Sequence, residues 1–104
     1  MWLRTDNVEG GLGQSHPAVV ISRDQFNDSH AWGVIVPGSS RVPADPEPEQ
    51  LIVRRTRENG LDVDTVFLPV IQSARWERMT RKAGVLPPHQ FKQLLSRVSG
   101  ILKI

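Results

Sequence analysis

The chain has 104 residues, with 13 basic and 11 acidic side chains and no cysteine. This length predicts one domain spanning residues 1–104, with a core large enough to fold without cross-links. The absence of cysteine excludes disulfides, thiolate metal sites and cysteine nucleophiles. No apolar run approaches the ~20 residues of a membrane span, and the first residues lack a signal-peptide pattern. We therefore expect a cytoplasmic protein without a membrane partner.

Short runs rich in β-branched residues predict a succession of strands. These runs cover residues 2–5, 17–22, 32–36, 50–55, 65–68 and 70–73, and a basic run at 75–82 is a candidate last strand. Strand signals every 8–15 residues with no helix between them indicate a small antiparallel barrel or sandwich.

The segments between these runs carry turn and loop signals. Residues 6–16 contain Gly10, Gly11 and Gly13 and are expected to form a mobile loop. Residues 23–29 are polar apart from Phe26 and are predicted to be a connector. Pro37 is expected to end its strand, and residues 38–48 hold too many prolines for the interior of a sheet.

The last segment has helical spacing. From Pro88 onward, apolar residues recur at intervals of three and one, at Phe91, Leu94, Leu95, Val98, Ile101 and Leu102. A helix of about 15 residues would span ~22 Å. We expect its apolar stripe to pack on the barrel as core, and the alternative is a surface that binds another protein.

Charge is distributed unevenly along the chain. Residues 1–64 carry six basic and ten acidic side chains, whereas residues 65–104 carry seven basic side chains and one acidic one. Both halves could simply present solvated faces. The alternative is a basic surface for a polyanion or for an acidic protein segment.

Three places could carry chemistry. His16 lies before Pro17, so its backbone is held extended at the mouth of a strand, and an imidazole suits proton transfer. Residues 36–41 end a strand with Ser39, Ser40 and Arg41, whose hydroxyls and guanidinium could bind phosphate, although a plain turn is the commoner case.

The third place is Trp76, which lies among Arg75, Arg78, Arg81 and Lys82. Such a pattern is typical either of single-stranded nucleic-acid binding or of a charged edge strand. His30 and His89 lack ligand spacing, so we expect surface histidines and no metal site or other cofactor.

The order of these motifs resembles the MazF/PemK (Kid) family of toxin–antitoxin toxins. A first strand with a tryptophan leads through a glycine-rich loop to SHPAVVIS, then to VPGSS, and the chain ends SARWERMTRKAGVLPPHQFKQLLSRVSGIL. Family members typically read G-x-x-R-P-A-V-V-I/L-S and V-P-x-T-S/T at these places. The match covers nearly the whole chain.

The resemblance implies an SH3-like antiparallel barrel with a C-terminal helix, acting as a homodimer. It also implies a metal-independent endoribonuclease that cuts single-stranded mRNA at a short sequence and so inhibits growth. In that family the 2′-OH attacks the adjacent phosphate and leaves a 2′,3′-cyclic phosphate and a 5′-OH. An acidic antitoxin, similar to MazE or PemI, would bind the same basic groove and block it.

On this resemblance His16 and Ser39 are the candidate catalytic residues. His16 would transfer a proton and Ser39 would contact the scissile phosphate, while RNA contacts are expected from Ser40, Arg41, Arg75 and Arg78.

The chain departs from the family pattern at several positions. The family's arginine is His16, its threonine is Ser39, and a functional aspartate of some members aligns with Pro69. The usual segment before the first tryptophan is also absent, so the first strand is short or starts upstream. Because an imidazole replaces a permanent cation, catalysis could be retained with altered pH dependence, weakened or lost.

Two alternative functions follow from these departures. One is a non-catalytic protein of the same fold, either a gyrase poison similar to CcdB or a degenerate binder of RNA or antitoxin. The chain end Ser-Gly-Ile-Leu-Lys-Ile lacks the Trp-Gly-Ile-like tail of the gyrase poisons. The other is an SH3-like adaptor, for which a chain without tyrosine has few aromatic residues to line a peptide groove.

Overall fold

Antiparallel strands account for most of the regular structure. The computed structural model describes residues 2–7 and 15–103. The strands and helices are β1 (Trp2–Asn7), β2 (Ser15–Val20), α1 (Asp24–Ser29), β3 (Trp32–Ser39), β4 (Leu51–Val53), β5 (Thr65–Phe67), β6 (Gln72–Arg75), a 3₁₀ turn (Trp76–Arg78), β7 (Met79–Val85) and α2 (Pro88–Ile101). The glycines of the predicted mobile loop lie outside the described residues.

Across the described residues the strands form one sheet in the order β4-β5-β3-β2-β1-β7, and β6 also pairs with β3. All the pairs are antiparallel. No ladder among the described residues joins β4 to β7, so the barrel-like sheet stays open. The predicted mainly-β fold with a C-terminal helix is confirmed, with an open sheet in place of a closed barrel.

Strand β3 is the centre of the sheet and continues through Pro37, which was expected to end it. On one side it pairs with β2, and on the other it pairs first with β6, through Trp32 to Ile35, and then with β5, through Gly38 and Ser39. Pro37 therefore lies where the second partner changes, so its missing N–H interrupts no ladder. Its carbonyl accepts a hydrogen bond from the Leu68 N–H at 3.1 Å.

Two apolar clusters lie on opposite faces of β2 and β3, because successive side chains point to opposite faces. The larger cluster is made of Val19, Val36, Leu51, Val53, Leu61, Phe67, Leu86, Leu94 and Val98. The smaller cluster is made of Ala18, Val20, Ile35, Ala74 and Met79, with Trp76 packed against it.

Helix α2 confirms the C-terminal prediction and packs part of its apolar stripe. It begins at Pro88, after Pro87, where missing N–H groups cost no helical hydrogen bond. Leu94 and Val98 are buried in the larger cluster and Phe91 packs against it. Leu95, Ile101 and Leu102 are exposed, so only part of the stripe is core. No helix of the described residues is long and apolar enough to span a membrane.

Several predicted boundaries were wrong. The polar connector at 23–29 contains helix α1, the strand expected at 70–73 is β6 at Gln72–Arg75, and the basic run at 75–82 is broken by the 3₁₀ turn. Strands β1 and β2 also extend into the predicted loop at 6–16, so that His16 is the second residue of β2. Short elements such as α1 are too brief to show a helical period.

Candidate functional site

His16 and Ser39 both lie just beyond the end of the ladder that pairs β2 with β3. In the β2–β3 ladder Ala18 lies opposite Pro37 and Val20 opposite Ile35. The ladder ends at the Ala18–Pro37 pair, and the same register continued by two residues would set His16 across from Ser39. Both side chains are half-buried, and directly opposite residues share a face of the sheet.

Position 6 extends the same row onto strand β1. Asp6 is the Cα partner of His16 on one side and of Met79 on the other. A carboxylate residue type therefore occupies the register position next to His16. Sequence reasoning missed this position because it assigned residue 6 to the loop, and an antiparallel pairing of residues 2–7 with 15–20 would have revealed it.

The chain turns tightly directly after Ser39. The Ser39 hydroxyl accepts a hydrogen bond from the Arg41 backbone N–H at 3.1 Å, and the Ser40 carbonyl accepts one from the Val42 N–H at 3.0 Å. Ser40 and Arg41 are exposed. A hydroxyl has one proton to donate and two lone pairs, so Ser39 can accept this bond and still donate to a phosphate oxygen.

The two other predicted RNA-binding arginines lie in different places. Arg78 precedes Met79, which is two strands from His16, a separation of about 10 Å at ~4.8 Å per strand. Arg75 is the Cα partner of Trp32, seven residues along β3 from Ser39, or roughly 23 Å at ~3.3 Å per residue. The Arg75 Nε lies 3.2 Å from the Glu77 carboxylate. The structure therefore brings Arg78, and not Arg75, towards His16 and Ser39.

The contacts of Trp76 are structural, because its side chain packs against the smaller cluster and hydrogen-bonds to the backbone around α1. Its indole N–H donates to the carbonyls of His30 at 2.9 Å and Asn27 at 3.2 Å, which ties α1 to the sheet. Its ring packs so closely on Gly33 that a Cβ there would overlap it. Of the two interpretations of the basic segment, these contacts favour a packed structural Trp76 over an exposed ring on which nucleic-acid bases stack.

The remaining candidates add little to this site. Pro69, aligned with the family's aspartate, is half-buried and follows Leu68, which is hydrogen-bonded to Pro37. His30 is exposed and stacks on Phe26 with ring centroids 3.9 Å apart. Among the described residues there is no group of three or more potential metal ligands.

The open sheet, the C-terminal helix and the polar residues at the ends of β2 and β3 define a small β-rich protein with a candidate site on the sheet. A family model described as "PemK-like, MazF-like toxin of type II toxin-antitoxin system" matches residues 1–102. The chain belongs to this family, and it is a toxin of a toxin–antitoxin system.

Solved structures share the fold at low sequence identity. The chain is similar to the Mycobacterium tuberculosis toxin MazF-mt6, with a TM-score of 0.78, 15% identity and coverage of 96% of this chain and 94% of that one. It is similar to MazF in a MazE-MazF structure from Deinococcus radiodurans, with a TM-score of 0.75, 20% identity and coverage of 96% and 89%.

A third similar structure is an endoribonuclease in complex with its cognate antitoxin from a mycobacterial species. The TM-score is 0.75 at 12% identity, with coverage of 99% of this chain and 95% of that one. A comparison with curated proteins finds no significant match.

Proposed function

We propose that this toxin is a metal-independent endoribonuclease that cleaves single-stranded RNA. The observation that supports it most directly is the register of β2 and β3, which, continued two residues past the Ala18–Pro37 pair, would set an imidazole and a hydroxyl on one face of the sheet. Membership of the MazF-like family and the likeness to MazF folds support the same activity.

The proposed reaction is an intramolecular transfer at phosphorus. The 2′-oxygen attacks the adjacent phosphorus and the bond to the 5′-oxygen breaks. The 2′-OH loses a proton to a base and the leaving 5′-oxygen gains one, which gives a 2′,3′-cyclic phosphate and a 5′-OH. His16 serves as one of the two proton-transfer groups, because an imidazole can both accept and donate at neutral pH.

Ser39, Ser40 and Arg41 contact the phosphate in this proposal. The charge that develops on the phosphorane oxygens is stabilised by the Ser39 hydroxyl and by the guanidinium of Arg41. An imidazole lacks the permanent charge and the fork geometry of the arginine of other family members, so the arginines around the site carry more of this role.

We also propose that an acidic, MazE-like antitoxin covers this face and that the toxin acts as a homodimer. Two of the similar structures are toxin–antitoxin complexes, which supports the first statement. Sedimentation of the purified chain at twice its mass of 11.7 kDa would support the dimer, and a monomer at micromolar concentration would contradict it.

The activity is tested with a long RNA incubated with the purified protein in EDTA. Discrete cuts with cyclic phosphate ends are expected, because the proposed reaction uses side chains alone. No cleavage at any pH between about 5 and 8 would overturn the proposal and leave the non-catalytic alternative, which a gyrase cleavage assay then examines.

The role of His16 is tested with His16→Ala and His16→Arg. We expect His16→Ala to lower kcat by roughly 10²-fold or more, as for the loss of a general acid or base. His16→Arg restores the family's residue type, and its activity should vary less over the pH range of the cleavage assay, since a guanidinium stays charged. His89→Ala, at an exposed position on α2, is the matched control. Unchanged activity in His16→Ala would remove His16 from the mechanism.

A further inference from the structure

Strand β3 reaches the candidate site through a buried glycine. Gly38 directly precedes Ser39 and pairs with Phe67 on β5. Phe67 belongs to the larger cluster, so Gly38 faces that cluster. Ser39 lies on the opposite face of the sheet, because successive residues of a strand alternate. One peptide bond therefore joins the core of the molecule to the candidate site.

A glycine is needed at position 38 for space and not for backbone conformation. Among the described glycines the positive φ belongs to Gly60. A Cβ built on Gly38 would lie 2.6 Å from Thr65 Cγ2 and 2.9 Å from Phe67 Cε1, whereas ordinary contact begins at 3.4 Å. Strand β3 thus lies about 0.8 Å closer to Thr65 than a Cβ allows, the difference between 3.4 Å and 2.6 Å.

The side chains of β5 are held more firmly than the end of β3. Phe67 is 0% exposed, and Thr65 is 1% exposed, with its hydroxyl donating to the Val63 carbonyl at 3.0 Å. The chain directly after Ser39 is exposed. Because a packed core resists added volume, a methyl group at position 38 would displace the end of β3, and Ser39 with it.

We propose that Gly38 is a positioning residue, which sets the place of the Ser39 hydroxyl through the close approach of β3 to Thr65 and Phe67. The inference rests on the proposed function, in which that hydroxyl contacts the scissile phosphate. A misplacement of about 1 Å at a reacting centre costs up to ~10²-fold in rate. The family pattern V-P-x-T leaves this position open, so the requirement comes from the β5 side chains of this chain.

The test is Gly38→Ala, which adds one methyl group. We expect kcat for RNA cleavage to fall by about 10- to 10²-fold at unchanged KM, because the Ser39 hydroxyl acts on the transition state. Thr65→Ser removes the nearest methyl group and keeps the hydroxyl that donates to Val63. Added to Gly38→Ala, it should restore kcat by at least about threefold, and alone it should leave kcat near the wild-type value.

The matched control is Gly33→Ala, on the same strand. A Cβ there would overlap the Trp76 ring, so this variant should also lose stability. Gly33 is six residues from Ser39, or roughly 20 Å at ~3.3 Å per residue, so its kcat should stay at the wild-type value wherever the chain is folded. Circular dichroism melting defines that range. If Gly33→Ala does not fold, Leu94→Ala in the larger cluster takes its place.

A second measurement does not depend on cleavage. The Arg41 N–H donates to the Ser39 hydroxyl at 3.1 Å, so the Arg41 amide resonance in a proton–nitrogen correlation spectrum reports the place of that hydroxyl. Gly38→Ala should shift this resonance, and Gly33→Ala should not. Thr65→Ser, added to Gly38→Ala, should move it back towards the wild-type position, which a purely local effect of the new methyl group would not do.

Three outcomes overturn the proposal. Gly38→Ala could cut RNA at the wild-type rate although it is less stable, the control could lose as much kcat, or Thr65→Ser could recover neither kcat nor the Arg41 resonance. If the wild type cuts no RNA under any condition, the proposed ribonuclease activity fails. The Arg41 resonances then still decide whether Gly38 sets the place of the Ser39 hydroxyl.

Discussion

Ser39 has a role in the local backbone geometry and a role in the proposed chemistry. Its hydroxyl accepts the Arg41 N–H, which fixes both the rotamer of Ser39 and the direction in which the chain leaves β3. Ser39 also ends a strand whose partner on one side is β5 and whose neighbour on the other is β2. A small hydroxyl residue at this position therefore has a structural use and, in the proposed reaction, a catalytic one.

These two uses can be separated by Ser39→Ala and Ser39→Thr. Ser39→Ala should lower kcat by about 10²-fold, as for the removal of one donor to a developing anion, and lower stability by about 1 kcal/mol through the lost turn bond. Ser39→Thr keeps the hydroxyl and should keep most of the activity. RNA cleavage rates and urea unfolding measure the two effects. Equal cleavage by Ser39→Ala and wild type would assign the hydroxyl to the turn alone.

At the scale of single residues, the sequence predicts which residue types could act but not which of them lie next to each other in the fold. The extended backbone before Pro17 was sufficient to single out His16, and the Val-Pro-Gly-Ser-Ser turn was sufficient for Ser39. Whether they are neighbours depends on the register of β2 and β3, which a local pattern cannot reveal for two residues 23 positions apart. The same dependence separates Arg75 from this site, since its partner across the sheet is Trp32.

Helix α2 shows how one element divides its apolar residues between two environments. Leu94 is 1% exposed and packs in the larger cluster, whereas its neighbour Leu95 is 37% exposed. The two leucines are one position apart, or about 100° around the helix axis, so Leu94 faces the core and Leu95 faces solvent on the same turn.

This pair gives a matched prediction about stability. Leu94→Ala should lower the free energy of unfolding by about 2–5 kcal/mol, because it removes buried methyl groups and leaves a cavity. Leu95→Ala should cost much less, since its side chain already has solvent access. Urea unfolding monitored by circular dichroism gives both values. Similar losses for the two variants would show that Leu95 is also buried in solution.

The elements that sequence patterns predicted well are those with strong, local signals. The β-branched runs of β2 and β5 and the 3–4 spacing of α2 each specify one structure on their own. The errors came from tertiary context. Pro37 stays inside β3 because the strand changes partner there, and the basic run breaks at Trp76 because its indole reaches the carbonyls at the end of α1.

For the whole molecule, charge along the sequence is a poor guide to charge in space. The basic residues of the C-terminal half are distributed over β6, the 3₁₀ turn, β7 and α2, and Arg97 donates to the Pro48 carbonyl at 3.1 Å. Arg54, which follows the strand that lies across β5 from Ser39, comes instead from the acidic half. A sheet assembles neighbours from distant segments, so only the register shows which charges lie near each other.

The charge of the face that carries Ser39 and Arg41 predicts how an acidic protein segment should inhibit the toxin. A ten-residue glutamate peptide that occupies the same cationic face should compete with RNA, which raises KM and leaves kcat unchanged. Raising the salt from 50 to 300 mM should weaken this inhibition, because screening reduces the attraction between exposed charges. A glutamine decapeptide of the same length is the control. Equal inhibition by the two peptides, or a fall in kcat at constant KM, would place the acidic segment elsewhere on the molecule and separate antitoxin binding from the proposed RNA site.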